Sequence, residues 1–228
     1  MDVNDTTALC VNNQKIDMTT KTNTVSRIIK RLIDIIVGLM GTIVLIPLSL
    51  IIKIVNIIYK DKETIFFIQE RIGKNGKTFK MYKFRTMIMG AEDELERIME
   101  ENEELRKEYE KNKKLQNDPR ITKVGKFLRK TSLDEFPQFI NILKGEMTVV
   151  GPRPYLKREI KEMRDAYSKI ITMKPGLTGL WQISGRSDLD FNNRVKLDEE
   201  YYRNNTLLGD FKIFLKTISI VIFRKGAV

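Results

Sequence analysis

The chain predicts an α/β fold, mainly helical: an N-terminal re-entrant membrane helix-hairpin joined to a small cytosolic domain with a short β-hairpin and amphipathic interfacial helices. Three observations lead there. Residues 35–52 carry no charge and contain Pro47. Two β-type segments, 64–69 and 78–84, flank Lys74-Asn75-Gly76-Lys77. Most of the remainder is helical in pattern and basic, with 41 Lys and Arg against 30 Asp and Glu for a formal +11. The expected division is a polar tail over 1–24, the hairpin over 25–60 and the folded domain over 61–228.

Residues 1–24 are rich in Asn, Thr and Asp without apolar periodicity, and read as a disordered tail. The single Cys10 lies there, so no internal disulfide can form and no His is present to activate the thiol. As a helix, the uncharged run reaches roughly 27 Å, close to the thickness of a hydrocarbon core. Pro47 removes a backbone hydrogen bond inside it and invites a break. Lys30 and Arg31 precede the run, and Lys53, Lys60 and Lys62 follow it. Charge on both flanks keeps both ends on the cytoplasmic side. A spanning helix and a buried core helix are the competing readings. Asp34 stands one turn from Lys30 and Arg31, within pairing reach.

Asn75-Gly76 between β-type segments is a hairpin signal. Lys83-Phe84-Arg85-Thr86-Met87 then brings two cations close together. Residues 91–109 alternate acids and bases and read as one solvent-facing helix, ended by Asn117-Asp118-Pro119. Residues 121–143 form two helical pieces, with Pro137 near the start of the second. A short buried strand over 147–150 precedes the stiff loop Gly151-Pro152-Arg153-Pro154. Residues 155–173 read as a basic helix and 176–186 as a glycine-rich loop. The apolar stretch 211–223, with Lys212 and Lys216 set into it, suits a helix lying in the interface or docking on the core.

With no histidine in the chain, the usual general base and the commonest transition-metal ligand are both missing. Chemistry falls to Asp, Glu, Lys, Arg, Tyr, Ser or Thr. Asp134-Glu135 stands out, with Arg129 and Lys130 before it and Arg153 soon after. Carboxylates among cations suit a phosphate substrate, a hard cation, or both. Adjacent helical side chains point about 100° apart, which fits one nucleophile and one cation ligand. The structural alternative is a helix capped by Thr131 or Ser132 with both acids in its first turn. Arg153 between two prolines is displayed rigidly, as bidentate phosphate binding requires, unless the turn is merely solvated. The glycine-rich loop resembles those whose amides approach a nucleotide, with Trp181 as a stacking surface or a core residue.

Taken in order, Lys30-Arg31 before the apolar run, Lys83-Phe84-Arg85-Thr86-Met87, Arg129, Ser132-Leu133-Asp134-Glu135, Pro137-Gln138, Asn141-Ile142-Leu143-Lys144-Gly145, Gly151-Pro152-Arg153-Pro154 and Lys174-Pro175-Gly176-Leu177-Thr178-Gly179 resemble the bacterial sugar transferases. These are the monotopic phosphoglycosyl transferases that start glycan assembly on polyprenyl phosphate. The resemblance runs from about residue 27 to the C-terminus. It implies transfer of a sugar-1-phosphate from a UDP-sugar to undecaprenyl phosphate with release of UMP, for exopolysaccharide, capsule or glycoprotein glycans. Asp134 would be the nucleophile and Glu135 would help hold Mg²⁺. The implied substrate and phosphate contacts are Arg129, Arg153, Lys83, Arg85, Thr178, Gln182 and Arg186. Residues 179–188 look most like members using galactose or glucose.

The implied partners are the UDP-sugar, undecaprenyl phosphate and membrane lipids, with no nucleic acid; a homo-oligomer stays open. The implied place is the bacterial inner membrane, with the site on its cytoplasmic face. The expected resemblance is to the small, minimal form, with no large membrane domain before the hairpin. Ile46-Pro47 departs from the Ser-Pro common in the family, and Ser49 is the nearest residue able to bond a freed carbonyl. The +11 charge and Trp181 leave a basic binding module as one rival reading, though it lacks the interleaved aromatics of a stacking platform. A Mg²⁺-dependent pyrophosphatase acting on the same lipids is another.

Overall fold

The computed structural model describes residues 24–112, 114–185 and 189–223. The expected disordered tail and Cys10 lie outside these residues, as does Arg186. Helix α1, Thr24–Ile58, runs through Pro47 as a single helical element, where the sequence suggested two arms. Pro47 leaves the Ile43 carbonyl without its helical donor. Ser49 bonds the Leu45 carbonyl at 2.7 Å instead, so it does not compensate that loss.

One face of α1 is built to pack. Gly38 and Gly41 leave room for Leu143 and the Phe139 ring, letting helix α5, Gln138–Lys144, lie close against it. Polar side chains fix the register. The Asp34 carboxylate accepts from Thr148 Oγ1 at 2.9 Å and from the Val149 amide at 2.8 Å. Lys30 pairs with Asp210 at 2.6 Å, and Arg31 donates to the Ile142 and Leu143 carbonyls at the end of α5. The local pairing of Asp34 with Lys30 or Arg31 is therefore replaced by tertiary bonds. Beyond Pro47 the helix stays in contact. Leu45 and Ile52 are buried with Phe84 and Leu128, and Leu48, Ile65, Leu133 and Phe136 pack around them. The opposite face is apolar and exposed, with Leu32, Ile36, Leu39, Ile43, Ile46, Leu50, Ile54 and Ile57 among its residues. By length and composition α1 is apolar enough to cross a membrane.

Strands β1, Phe66–Ile72, and β2, Thr78–Phe84, form the expected antiparallel hairpin, with Phe67 opposite Lys83. Asn75 and Gly76 turn it with φ of 58° and 76°, the left-handed values that favour this dipeptide. The charged stretch that follows is two helices rather than one. Asn102 interrupts α2, Ala91–Glu101, and α3, Glu103–Asn112, and its side chain accepts from the Glu104 and Leu105 amides. The pair encloses a small core of its own around Leu95, Ile98 and Leu115.

Helix α4, Lys123–Thr131, is capped by Thr122, whose hydroxyl accepts from the Gly125 amide at 2.9 Å. Gly125 sits so near the Thr86 backbone that any side chain would collide with it. After α5, β3, Thr148–Val150, pairs in parallel with β4, Gly176–Thr178. The glycine-rich loop is thus a strand followed by α8, Leu180–Ser184. Its glycines serve backbone packing: side chains at Gly176 or Gly179 would strike Gly151. The expected basic helix over 155–173 is broken into a 3₁₀ turn, α6, Ile160–Met163, and α7, Ala166–Ile170, separated at Arg164, whose φ is 50°.

Helices α9, Phe191–Asn204, and α10, Leu207–Phe223, complete the described chain. Helix α10 docks on the core and keeps an exposed apolar face. Ile213 and Phe214 dock on the core, while Leu208, Phe211, Leu215 and Phe223 stay exposed.

Candidate active site

Asp134 and Glu135 lie in a 3₁₀ turn, Leu133–Glu135, immediately after α4. Ser132 makes the corner, with a left-handed φ of 57°, and its amide caps the end of α4 on the Arg129 carbonyl. The helix-start alternative holds in part: Ser132 precedes a three-residue 3₁₀ turn that carries both acids, but its side chain makes no capping hydrogen bond there. Leu133 and Phe136 flank the acids and pack toward α1, so the turn rests on the apolar helix with one layer of side chains between.

The turn opens into a cleft of about 590 Å³ that holds Asp134, Glu135, Lys83, Arg129, Arg71, Arg153, Arg194, Trp181 and Gln182. Lys83 Nζ lies 3.0 Å from Glu135 Oε1. Arg129 donates from Nε to Thr86 Oγ1 at 2.9 Å, a contact that the bare Gly125 permits. Burial pushes the Asp134 carboxyl up to about 6; Lys83 and Arg129 oppose the shift, and Glu135 adds to it. If Asp134 is the nucleophile that the resemblance implies, it acts ionised, so turnover is expected to rise with pH through about 6 and to level off above it. An initial-rate profile from pH 5 to 8 checks this.

Arg153 is held through its backbone. Its amide donates to Asp198 Oδ2 at 2.9 Å, a carboxylate that also accepts from the Tyr155 hydroxyl at 2.7 Å. The Arg153 guanidinium lies 5.7 Å from the Trp181 ring centre and 3.4 Å from Glu159 Oε1. Arg71 and Arg194 join it. Burial pulls the Arg71 guanidinium down to about 10, and the charge of Arg153 pulls the same way. Arg194 is lowered by the same two causes in the same order. Like charges crowded in a desolvated space favour a bound anion. Arg71 Nε, Arg153 Nε, Trp181 Nε1 and Gln182 Oε1 are buried with no hydrogen-bond partner among the described residues.

Not every expected contact belongs here. The Arg85 guanidinium borders the cleft but is committed elsewhere: both Asp61 carboxylate oxygens at 2.8 Å, the Thr64 carbonyl at 2.6 Å and the Met87 carbonyl at 3.1 Å. Arg85 ties the segment after α1 to the hairpin. Arg85→Ala is therefore expected to lower stability by about 3 kcal/mol, because it strands a partly buried carboxylate and two carbonyls. A denaturant melt checks this; a change confined to donor KM would contradict it. Thr178 is buried and shares a 2.7 Å hydrogen bond with Thr217, outside the cleft. Arg71 and Arg194 escaped the sequence reading. Arg71 had a signal, since alternation in β1 places Phe67, Gln69 and Arg71 on one face with Lys83. No local pattern marks Arg194.

The profile of the family described as bacterial sugar transferase matches residues 25–224. The chain belongs to this family. A bacterial sugar transferase of Haemophilus influenzae, described as an uncharacterized sugar transferase, is 45% identical over 202 residues, covering 89% of this chain and 42% of that protein. The undecaprenyl-phosphate galactose phosphotransferase of Salmonella typhimurium is 44% identical over 202 residues, with the same coverage of each. The exopolysaccharide production protein ExoY of Sinorhizobium fredii is 42% identical over 198 residues, 87% of each chain. The chain thus spans 42% of the length of the first two sugar transferases. The matched stretch includes every cleft residue named above.

Proposed function

We propose that this protein is a phosphoglycosyl transferase that moves a sugar-1-phosphate from a UDP-sugar to undecaprenyl phosphate, releasing UMP. The observation that carries the reading is the juxtaposition in one cleft of a half-buried carboxylate pair with Arg71, Arg129, Arg153 and Lys83. Family membership supports it, as does the Salmonella relative, whose name specifies a galactose phosphotransferase acting on undecaprenyl phosphate. Galactose or glucose is the proposed hexose. A relative from Escherichia coli, 36% identical over 213 residues, is named for glucose-1-phosphate transfer.

In the proposed reaction an Asp134 carboxylate oxygen attacks the sugar-bearing phosphorus. A phosphorus–oxygen bond to Asp134 forms as the bond to the bridging oxygen breaks, and UMP leaves with that oxygen. An oxygen of the lipid phosphate then attacks the same phosphorus and Asp134 departs as carboxylate, so one hard displacement becomes two. Arg129 and Lys83 offset the repulsion between carboxylate and phosphate, while Arg71 and Arg153 hold the diphosphate. Mg²⁺ is the proposed cofactor. No group of three acidic or thiol ligands able to hold a metal occurs among the described residues. Glu135, with Asp134 beside it, fits a cation that draws its other ligands from substrate phosphates and water. When bound there, the ion supplies charge neutralisation of the diphosphate.

Attachment is proposed to be monotopic, on the cytoplasmic face of the inner membrane. Both Lys30-Arg31 and Ile52 contact the same folded domain, at opposite ends of α1. A helix that crossed the bilayer would carry one of those contacts away. Lying with one face on the domain and the other in lipid, α1 keeps both, and the cleft meets lipid phosphate and soluble nucleotide together. Release of UMP by detergent-purified protein with Mg²⁺, undecaprenyl phosphate and a panel of UDP-sugars is the test. No UMP from any donor would overturn the reading.

A further inference from the structure

The cleft is charged along most of its length, yet its hairpin end is apolar. Phe67, Ile88 and Met89 line it there and are 41%, 44% and 58% exposed. Large apolar side chains left open beside a charged site mark a contact surface. The β1–β2 register sets Phe67 opposite Lys83, so the aromatic ring and the ammonium that pairs with Glu135 stand on the same face of the hairpin. Along that face the side chains run Phe67, Gln69, Arg71. Polarity therefore changes from apolar to neutral to cationic over about 13 Å of strand.

The apolar end lies where the hairpin packs on α1. Phe66, beside Phe67, stacks on Phe84 with ring centres 5.4 Å apart. Phe84 in turn is buried against Leu45 and Ile52 of α1. Phe66 and Phe67 face opposite sides of the hairpin, so its open end carries the packing on α1 on one side and the cleft's exposed apolar patch on the other. Two cations of the same cleft, Lys83 and Arg129, are both close enough to act on the Asp134 charge.

We propose that this end of the cleft seats the first isoprene units of the lipid phosphate acceptor, with its phosphate at Lys83 and Arg129. The donor then occupies the opposite end, where Arg71, Arg153 and Arg194 gather, and the two substrates reach Asp134 in turn from different directions. The proposal rests on the transferase reading above. Two observations select the occupant. The patch lies at the hairpin end that packs on α1, and the cations Lys83 and Arg129 line the same cleft, matching a molecule with an apolar tail and an anionic head.

The test uses the full chain and two exposed-site variants, Phe67→Thr, which keeps a strand-forming residue, and the double change Ile88→Ser with Met89→Gln. Three quantities are measured for each: UMP burst with donor alone, KM for undecaprenyl phosphate, and co-sedimentation with phosphatidylglycerol–phosphatidylethanolamine vesicles. The expected result is an acceptor KM raised about tenfold, the loss expected for one apolar side-chain contact, relative to an undiminished burst and vesicle binding. An acceptor KM unchanged in both variants would overturn the proposal. So would vesicle binding that falls in step with the acceptor effect, since the patch would then be a bilayer contact. Absence of a burst from the unmodified protein would instead remove the transferase reading itself, a failure distinguishable from the other two.

Discussion

Asp134→Asn is expected to abolish turnover while the protein folds and binds membrane as before. The amide nearly matches the carboxylate in shape but has no anionic oxygen to form a bond to phosphorus. Loss of a nucleophile lowers kcat by on the order of 10³ or more, a barrier increase of at least about 4 kcal/mol. The stability prediction runs the other way. Burial holds the Asp134 carboxyl at about 6 in the folded protein, above the ordinary carboxylate value, so at pH 7 its ionisation works against folding. Asn removes that charge, and Tm at pH 7 should be equal or higher. At pH 5, where Asp134 is largely protonated, the difference should shrink. UMP release and a thermal melt on the same preparation decide it, and retained turnover would exclude the covalent route.

Arg153→Ala ranks next, with an expected fall in kcat of about 10² to 10³, the scale seen when one donor to a developing charge is removed. The loop should survive the change. Its structural bond runs from the Arg153 amide to Asp198, and the prolines on either side set its φ angles. Arg153→Lys keeps a positive charge near Glu159 but lacks the planar fork, so only part of the rate should return. Donor kcat and KM measured for both variants separate the roles. If Arg153→Ala retained the full rate, the guanidinium would be a structural partner of Glu159 and Trp181 alone.

The parts of this molecule legible from sequence are those whose physics is local. Asn75-Gly76 demands left-handed backbone and therefore announces the hairpin. The uncharged run through residue 52 announces an apolar helix, whatever its path. Asp134-Glu135 draws attention because two acids in a cationic, histidine-free chain need an explanation, and the structure places them together in the cleft with Lys83, Arg129 and Arg153. Where the reading went astray, a distant partner had overridden a local preference. Arg85 was read as a phosphate ligand, but Asp61 and two carbonyls claim it. The glycines of 176–179 suggested a nucleotide loop, but they let β4 approach the Gly151 backbone. Asp34 was assigned a charge partner one turn away, but it bonds β3.

By itself the sequence determined that the protein carries an apolar helix, a β-hairpin and an acidic pair among cations, because turn geometry, periodicity and adjacency act over a few residues. Only the tertiary structure decided how the cations gather around those acids, and it added Arg71 and Arg194 to them. Arg71, Arg129, Arg153 and Arg194 come from β1, α4, a proline-flanked loop and α9, and they converge because α5 packs on the bare glycines of α1, α4 on Thr86 and β4 on Gly151. Such convergence depends on burial and close backbone approach between segments far apart in the chain, which no local pattern records.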